Sequence, residues 1–213
     1  MSNNKYNMLV ESSDQVEMLT EQTENGKQLY IEGIFAQANK VNGNGRIYER
    51  KIMEGAMDSY ISNYVSKRRA LGELNHPDRP TVDPAEAAIL ITEMTWQGDN
   101  VYGKAKVLNT PKGQIVKGLL EGGFSMGVST RALGSLKEKN GVKYVQDDLM
   151  FTAVDAVDNP SAPDAYVSAL TESRKWMINE SGMWVATQEE IEQPFNQELF
   201  LEKLEMFIKG YRK

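Results

Sequence analysis

Three residues of this chain have side chains whose types suit nucleophilic catalysis. His76 is the single histidine among 213 residues, and it lies in a segment with three prolines, LGELNHPDRPTVDP at residues 71–84, which predicts a rigid loop. Ser129 and Asp155 each place a polar group in an otherwise apolar, strand-like run. An imidazole is the usual base near neutral pH, a serine nucleophile needs such a base, and a carboxylate orients it. An ordinary structural role is the alternative for each of the three.

The composition excludes several other kinds of site. The chain has no cysteine and one histidine, which excludes thiol nucleophiles, cysteine zinc sites and any site with two histidine ligands in one chain. Arg131 stands where the nucleophile elbow of α/β-hydrolases requires a glycine, so that class is disfavoured. The net charge of -6 disfavours a sequence-independent nucleic-acid binder, and no stretch approaches the roughly 18 apolar residues of a membrane span. We therefore expect no nucleic-acid or membrane partner, no metal and no cofactor.

A second class of enzyme remains open at this point. Four carboxylates lie in or beside the proline-rich segment, and glycosidases work with pairs of carboxylates. Nothing in their spacing selects two of the four, and a solvated acidic loop explains them more simply. A glycosidase would keep its activity when Ser129 is lost, whereas a serine hydrolase would not. The four candidates are Glu73, Asp78, Asp83 and Glu86.

The elements that would position these residues belong to a mainly β domain. Residues 1–28 are polar and predict a flexible N-terminal arm. Residues 173–213 are polar again and predict a tail with one amphipathic helix at about 197–211. Between them, alternating and helical spacings predict a compact α+β domain. Its predicted strands are 29–36, 87–96, 100–108, 124–133 and two runs within 142–157, and its predicted helices are 50–68 and a short one that begins at Thr110.

Several motifs occur in a fixed order between about residues 29 and 170. They are LYIEGIF, LGELNHPDRPTVDPAEAAI, NVYGKAKV, GVSTRALGSL, VDAV and PSAPDA. Together they resemble a known family, the prohead core protein proteases of T-even-type tailed phages. This family is similar in fold to the herpesvirus maturation proteases, so the resemblance implies a mainly antiparallel β-barrel with surrounding helices.

The chemistry that the resemblance implies is that of a serine endopeptidase. The histidine of the family falls in the motif Leu-Asn-His-Pro, which makes His76 the general base. The serine of the family is the first hydroxyl residue of the motif Gly-Val-Ser, which makes Ser129 the nucleophile. No cofactor is implied.

The third member of the site must differ from that of the herpesvirus proteases. Those proteases use a second histidine, and this chain has only one, so a Ser-His-His triad is excluded. Asp155, in the motif Val-Asp-Ala-Val, is our candidate, which gives a Ser-His-Asp site. Glu73 and Asp78, close to the histidine in sequence, are the alternatives. Arg131 is a candidate for stabilising the oxyanion or for ordering a loop.

The resemblance also implies a substrate. We expect a maturation protease of the phage prohead that cleaves scaffold and capsid proteins, and itself, after Glu in Leu/Ile-x-Glu sequences. We expect it to form homo-oligomers and to act inside the immature head, in the host cytoplasm. Residues 29–172 would be the protease domain, and the segments 1–28 and 173–213 would be propeptides. The candidate self-cleavage sites follow Glu11, Glu21, Glu172 and Glu180.

A protein without activity is the alternative within the same fold. A β-barrel with helices can equally be a scaffold or a structural protein of head assembly, because a fold does not determine a function. Presence of the histidine, the serine and the aspartate together favours the enzyme.

Overall fold

The computed structural model describes residues 5–23, 26–158, 175–179 and 181–187. The described residues form thirteen β-strands in three sheets and two α-helices, which confirms the mainly β, α+β prediction. A closed barrel and a fold like that of the herpesvirus proteases stay predictions. In chain order the strands are β1 (Tyr6–Ser13), β2 (Val16–Thr23), β3 (Gly26–Gln37), β4 (Arg46–Ile47), β5 (Leu71–Glu73), β6 (Ala87–Gln97), β7 (Asn100–Val107), β8 (Gly127–Gly134), β9 (Leu136–Lys139), β10 (Val142–Val145), β11 (Met150–Val157), β12 (Lys175–Ile178) and β13 (Trp184–Thr187), and the helices are α1 (Arg50–Tyr60) and α2 (Pro111–Glu121).

One sheet, called here the serine sheet, carries both Ser129 and Asp155. Its strand order is β11-β8-β1-β12-β13, and its neighbouring strands are antiparallel. All eight residues of β8 are buried. Because β8 lies between β11 and β1, both edges of its backbone are paired, and Ser129 faces Asp155 on one side and Ser12 on the other.

A second sheet supplies the other half of the core. Its order is β2-β3-β7-β6-β5, and a small third sheet has the order β4-β10-β9. Strands β6 and β7, both predicted from the sequence, form a hairpin whose turn uses Gly98 with φ at +59°. Leu9 and Val128 of the serine sheet share one apolar cluster with Ile31 and Ile89 of the second sheet. Burial of such side chains is the main driving force of folding.

The two helices lie where the sequence predicts them. Met53 and Met57 of α1 are buried in the core, as the helical spacing predicts. The α-helix is shorter than predicted, since the backbone continues as a π-helical turn over Ile61–Val65. Helix α2 begins as predicted, because Thr110 Oγ1 accepts a hydrogen bond of 3.1 Å from the backbone N–H of Gly113.

Residues 6–23 correct the expectation of a flexible N-terminal arm. They form β1 and β2, and Met8, Leu9 and Val10 are almost fully buried, with exposures of 0, 0 and 1%. A polar composition shows that a segment cannot build a core of its own. A strand inserted between β8 and β12 needs only a few apolar side chains, because its neighbours supply the rest of the core and the hydrogen-bond partners. Removal of this segment as a propeptide stays a prediction.

The C-terminal tail is described in two short strands, β12 and β13. Strand β12 pairs with β1, and Trp176 packs in a small cluster with Met8, Val10 and Leu133. The predicted amphipathic helix at about 197–211 lies outside the described residues. In the part of the chain that the structure describes, no helix is long and apolar enough to cross a membrane.

Candidate active site

Ser129 lies in the middle of the serine sheet with a polar partner on each side. Its exposure is 0%, and the strand register pairs it with Asp155 of β11 and with Ser12 of β1. Directly opposed residues of antiparallel strands project to the same face of a sheet. Accordingly, a hydrogen bond of 3.2 Å joins the hydroxyl oxygens of Ser12 and Ser129.

Strand β5 and the proline-rich loop that follows it, residues 74–83, are attached to β11 just before the histidine. Gly72 lies so close to β11 that a Cβ atom there would overlap the carbonyl oxygen of Val154. Leu74 forms a parallel bridge with Ala156. Asn75, with φ at +63°, donates its N–H to the Ala156 carbonyl oxygen at 2.8 Å, and asparagine tolerates this left-handed conformation better than most residues. These contacts fix the point from which the imidazole projects.

The histidine contacts the predicted aspartate. His76 Nδ1 lies 3.2 Å from Asp155 Oδ2, and 9% of the histidine side chain is exposed. With Nδ1 directed at the carboxylate, Nε2 is the nitrogen that would accept a proton. Among the residues that the structure describes, no hydrogen bond joins His76 to Ser129, whose hydroxyl is bonded to Ser12. Catalytic hydrogen bonds are often long until a substrate is bound.

Asp155 is a fully buried carboxylate with several donors around it. Arg131 binds both of its oxygens, Nε to Oδ2 at 2.6 Å and Nη2 to Oδ1 at 3.0 Å. The backbone N–H of Glu73 donates to Oδ1 at 2.8 Å. Burying a carboxylate is costly unless it is paired and hydrogen-bonded. The guanidinium and the backbone N–H therefore supply the hydrogen bonds that this buried carboxylate needs beside the imidazole.

Arg131 also holds the proline-rich loop in place. Its Nη1 donates to the carbonyl oxygens of Arg79 at 2.7 Å and of Thr81 at 3.2 Å, and its side chain is fully buried. All three guanidinium nitrogens are thus engaged by Asp155 and by the loop. Of the two alternatives that the sequence left open for Arg131, these contacts match the ordering of a loop.

The other acidic residues near the histidine have partners of their own or face solvent. The Glu73 carboxylate accepts hydrogen bonds from Arg79 Nη2 at 3.0 Å and from the backbone N–H of Asp83 at 2.8 Å. Asp83 caps the short 3₁₀ turn that follows it, and Glu86 forms an ion pair of 3.0 Å with a lysine of α2. Asp78 is exposed. Glu73, Asp83 and Glu86 are thus engaged in structural contacts, which disfavours the glycosidase alternative.

A second buried ion pair, which sequence reasoning missed, lies next to Ser12. The Glu11 carboxylate accepts hydrogen bonds from Arg46 Nη1 at 2.6 Å and from the Tyr48 hydroxyl at 2.8 Å, both on Oε1. The side-chain amide of Asn44 donates to Oε2 at 2.7 Å. Arg46 is fully buried, and 16% of the Glu11 side chain is exposed. We call Asn44, Arg46 and Tyr48 the glutamate pocket.

Burial governs the ionisation of the groups in the glutamate pocket. Burial raises the pKa of the Glu11 carboxyl above its ordinary value, and the charge of Arg46 together with the three hydrogen bonds counteracts this rise. Burial, and next the Glu11 carboxylate, raise the pKa of Tyr48 well above its ordinary value. Tyr48 is therefore a neutral phenol at physiological pH, and its hydroxyl donates to the carboxylate.

A tight turn presents two residues of the pocket. Asn42 Oδ1 accepts the backbone N–H groups of Asn44 and of Arg46, both at 3.0 Å, and Gly45 has φ at +68°. Such side-chain contacts and a left-handed glycine are typical of a rigid turn. The alternating asparagines and glycines of residues 42–45 are typical of a turn, but they do not indicate that its arginine is buried, because arginine in a turn is normally exposed.

The glutamate pocket adjoins open space. A cavity of about 240 Å³ lies beside it, lined by the chain from Glu11 to Gln15, by the turn at 40–43, and by Tyr48 and Thr130. The pocket is thus at the border of the core and is not sealed within it.

The other candidate self-cleavage sites lie elsewhere. Glu21 is in β2, opposite Gln28 of β3, and its carboxylate forms an ion pair with Lys104. Glu172 and Glu180 lie outside the described residues. Of the two candidates that the structure describes, Glu11 is the one on the strand that pairs with β8.

A comparison with protein families gives the class of the protein. Residues 5–175 match the model of the family described as prohead core protein serine protease. The match covers more than half of the chain, and the chain belongs to this family. The match begins at residue 5 and so includes β1, which the motif resemblance from residue 29 onward had left out.

Individual relatives agree with this assignment. Over 152 residues this chain is 48% identical to the prohead core protein protease of Enterobacteria phage T4, and the alignment covers 68% of this chain and 72% of that protein. The structure of this chain is similar to that of the bacteriophage T4 capsid assembly protease, gp21, with a TM-score of 0.68 and 39% identity. This match covers 72% of this chain and 99% of the other. The predicted family, and with it a phage prohead protease, is confirmed.

Proposed function

We propose that this chain is a serine endopeptidase of phage head maturation with Ser129, His76 and Asp155 as its triad. One arrangement carries the proposal. The Asp155 carboxylate is 3.2 Å from His76 Nδ1, and Ser129 is directly opposite Asp155 on the neighbouring strand. Family membership supports a peptidase, and this arrangement supports the serine as its nucleophile.

In the proposed reaction, Ser129 Oγ attacks the carbonyl carbon of the scissile bond while His76 Nε2 accepts the hydroxyl proton. The C–N bond then breaks, the imidazole gives that proton to the leaving amine, and an ester on Ser129 remains. A water molecule hydrolyses the ester through the same base and restores the hydroxyl. Asp155 keeps the Nδ1–H directed at its carboxylate and stabilises the imidazolium.

Arg131 is a positioning residue in this scheme. It holds Asp155 through two hydrogen bonds and holds the proline-rich loop, which carries the histidine, through two backbone carbonyls. The position of the loop that carries the imidazole and the position of the Asp155 carboxylate therefore both depend on one buried guanidinium. We assign the stabilisation of the oxyanion to other donors.

The proposed substrates are scaffold and capsid proteins of the immature phage head, cut after Glu in Leu/Ile-x-Glu sequences. Support comes from the relatives, which are named as a prohead core protein protease and a capsid assembly protease of phage T4. We propose that the chain acts inside the prohead in the host cytoplasm, that it forms homo-oligomers, and that it also cleaves itself within its N-terminal and C-terminal segments.

Intact-mass measurement of the purified full chain tests the proposal. The wild type and the variants Ser129→Ala and Ser59→Ala are incubated separately, each with and without a synthetic peptide that contains Leu-Val-Glu-Ser. Ser59 is an exposed serine of α1 and serves as the matched control. The wild type and Ser59→Ala are expected to lose terminal pieces through cleavage after glutamate and to cut the peptide, whereas Ser129→Ala stays intact.

Two results would contradict this proposal. If Ser129→Ala cuts as fast as the wild type, another residue is the nucleophile. If no variant cuts the chain or the peptide, the alternative of a silent scaffold or head-assembly protein is favoured.

A further inference from the structure

We infer that the glutamate pocket, formed by Asn44, Arg46 and Tyr48, binds the side chain of the glutamate that precedes the scissile bond, and that Glu11 of the chain's own β1 occupies it. This inference rests on the proposed function and names the residues that select its substrate. Strand β1 is then a substrate segment bound in place within the chain that cleaves it.

The donors of the pocket match an ionised glutamate. Arg46 and Tyr48 donate to one carboxylate oxygen and Asn44 to the other. An arginine offers no acceptor, and a neutral tyrosine and an amide N–H₂ offer hydrogens in this arrangement. A glutamine would turn its own N–H₂ toward one of these donors and leave buried groups unpaired. An aspartate is one methylene shorter, so the pocket selects glutamate.

The pocket is held together by contacts that do not involve β1. The turn that carries Asn44 and Arg46 is fixed by the Asn42 side chain, and β4, which begins at Arg46, pairs with β10. A site that is ordered before its ligand arrives spends less entropy on binding. The same pocket can therefore receive a glutamate from another polypeptide.

Strand geometry links the pocket to the leucine two residues earlier. Residues i and i+2 of a strand face the same side, so Leu9 projects with Glu11 and is fully buried in the main core. Val10 points to the other side, and its carbonyl oxygen accepts hydrogen bonds from Asn44 at 3.0 Å and Arg46 at 3.3 Å. The three residues of a Leu-x-Glu triplet are thus bound in turn by an apolar site, by hydrogen bonds to the backbone carbonyl and by the donors of the glutamate pocket.

The register places the bond that follows Glu11 beside the nucleophile. Ser12 is paired with Ser129, and the two hydroxyl oxygens are 3.2 Å apart. Glu11 is opposite Thr130, whose hydroxyl donates to the Glu11 carbonyl oxygen at 3.4 Å. The pocket therefore lies at the position of the residue whose carbonyl Ser129 would attack.

A segment of a head protein would bind in the same way once β1 has left. Extended peptides commonly add as a strand to a sheet edge, with backbone hydrogen bonds for affinity and pockets for specificity. While β1 is in place, it covers this edge of β8. Cleavage after Glu11 would free the pocket for a second Leu-x-Glu segment.

Cleavage of paired peptides tests the selectivity. One peptide has the sequence of residues 6–15, YNMLVESSDQ, and the other has glutamine in place of the glutamate. The ratio of kcat/KM for the two is measured with the wild type and the variants Tyr48→Phe, Asn44→Asp and Tyr102→Phe. Tyr102, on β7 in the second sheet, is the matched control.

Loss of the Tyr48 hydroxyl is expected to lower the Glu-to-Gln ratio about tenfold, since one hydrogen bond to a charged group is lost. Asn44→Asp places a carboxylate against the carboxylate and lowers the ratio further. Tyr102→Phe leaves the ratio unchanged. The inference is overturned if both pocket variants keep the wild-type ratio, which includes the case in which they cut the two peptides more slowly by the same factor.

Hydrogen exchange provides a readout that does not need activity. In the Ser129→Ala background, which prevents cutting, the backbone amides of residues 9–12 are followed with and without Tyr48→Phe. Exchange of these amides is expected to accelerate about tenfold when the hydroxyl is removed, with no change for Tyr102→Phe. Equal exchange in all three proteins overturns the occupancy of the pocket. If the peptides are not cut by the wild type, the proposed function fails, and the exchange result still decides whether the pocket holds Glu11.

Discussion

The triplet Leu-x-Glu occurs in β1 and again in β2, which follow each other in the chain but belong to different sheets. Leu9-Val10-Glu11 is on β1, inside the serine sheet, and Leu9 is 0% exposed. Leu19-Thr20-Glu21 is on β2, at the edge of the second sheet, and Leu19 is 38% exposed. The local sequence is alike in type, so the difference comes from the strands that each segment pairs with.

The carboxylates of the two triplets also differ in burial and in the partners that hold them. Glu11 is held by a fully buried guanidinium and two further donors, and 16% of its side chain is exposed. Glu21 pairs with Lys104 at the surface, and 39% of its side chain is exposed. A surface ion pair contributes little stability, whereas breaking a buried one is costly. The triplet alone therefore does not define a binding mode, and the partner strand and the pocket do.

The substitution with the largest expected effect lowers the rate of cleavage after both triplets. Asp155→Asn offers an amide to the imidazole and favours the wrong tautomer, which lowers the rate of cleavage about 10⁴-fold. The rate is measured by intact mass, with Asp58→Asn on the exposed face of α1 as the matched control. Near-normal cleavage by Asp155→Asn would remove the aspartate from the triad.

The second prediction compares the stability contributions of the two cations that pair with the glutamates, Arg46 and Lys104. In the Ser129→Ala background, Arg46→Met leaves Glu11 buried without its charged partner and is expected to lower the free energy of unfolding by about 3–5 kcal/mol. Lys104→Met, the matched change at Glu21, is expected to lower it by about 1 kcal/mol or less. Urea denaturation followed by circular dichroism measures both. Equal losses would mean that the two triplets are held alike.

A smaller difference in stability is expected between substitutions of the two glutamates. Glu11→Gln places an amide among three donors and is expected to cost about 1–3 kcal/mol of unfolding free energy. Glu21→Gln at the surface is expected to change it by less than about 0.5 kcal/mol. The same denaturation experiment in the Ser129→Ala background gives both values, and a larger loss for Glu21→Gln would reverse the comparison.

The smallest effect is the response to salt. Double-mutant cycles for Arg46 with Glu11 and for Lys104 with Glu21 are compared at low salt and at about 1 M salt, where the screening length is about 3 Å. The coupling of the exposed pair, at most about 1 kcal/mol, is expected to vanish. The coupling of the buried pair is expected to persist, and its disappearance would show that Glu11 is open to solvent.

Much of the fold could be predicted from local patterns. Strand β3, the hairpin of β6 and β7, helix α2 with its Thr110 cap and the turn at Asn140 and Gly141 all follow from spacing and turn residues. Their signals lie within a few consecutive residues. Strand β1 has no such signal, because Met8, Leu9 and Val10 do not alternate with polar residues and its partner strands are distant in sequence.

The sequence by itself determined which residues are the candidates for chemistry. The single histidine, the serine within Gly-Val-Ser and the aspartate within Val-Asp-Ala-Val stand out because their types are rare in such segments and their motifs occur in the order of a known family. It also determined that cysteine chemistry is absent.

Only the tertiary structure decided what surrounds those residues. Ser12 meets Ser129 across 117 positions of sequence, Glu11 meets Arg46 across 35, and the histidine meets Asp155 across 79. Each of these contacts depends on burial and on hydrogen-bond partners that other strands supply, and a polar segment read alone contains neither. The N-terminal segment became part of the candidate active site because β8 offered it a backbone edge and the glutamate pocket offered its carboxylate three donors.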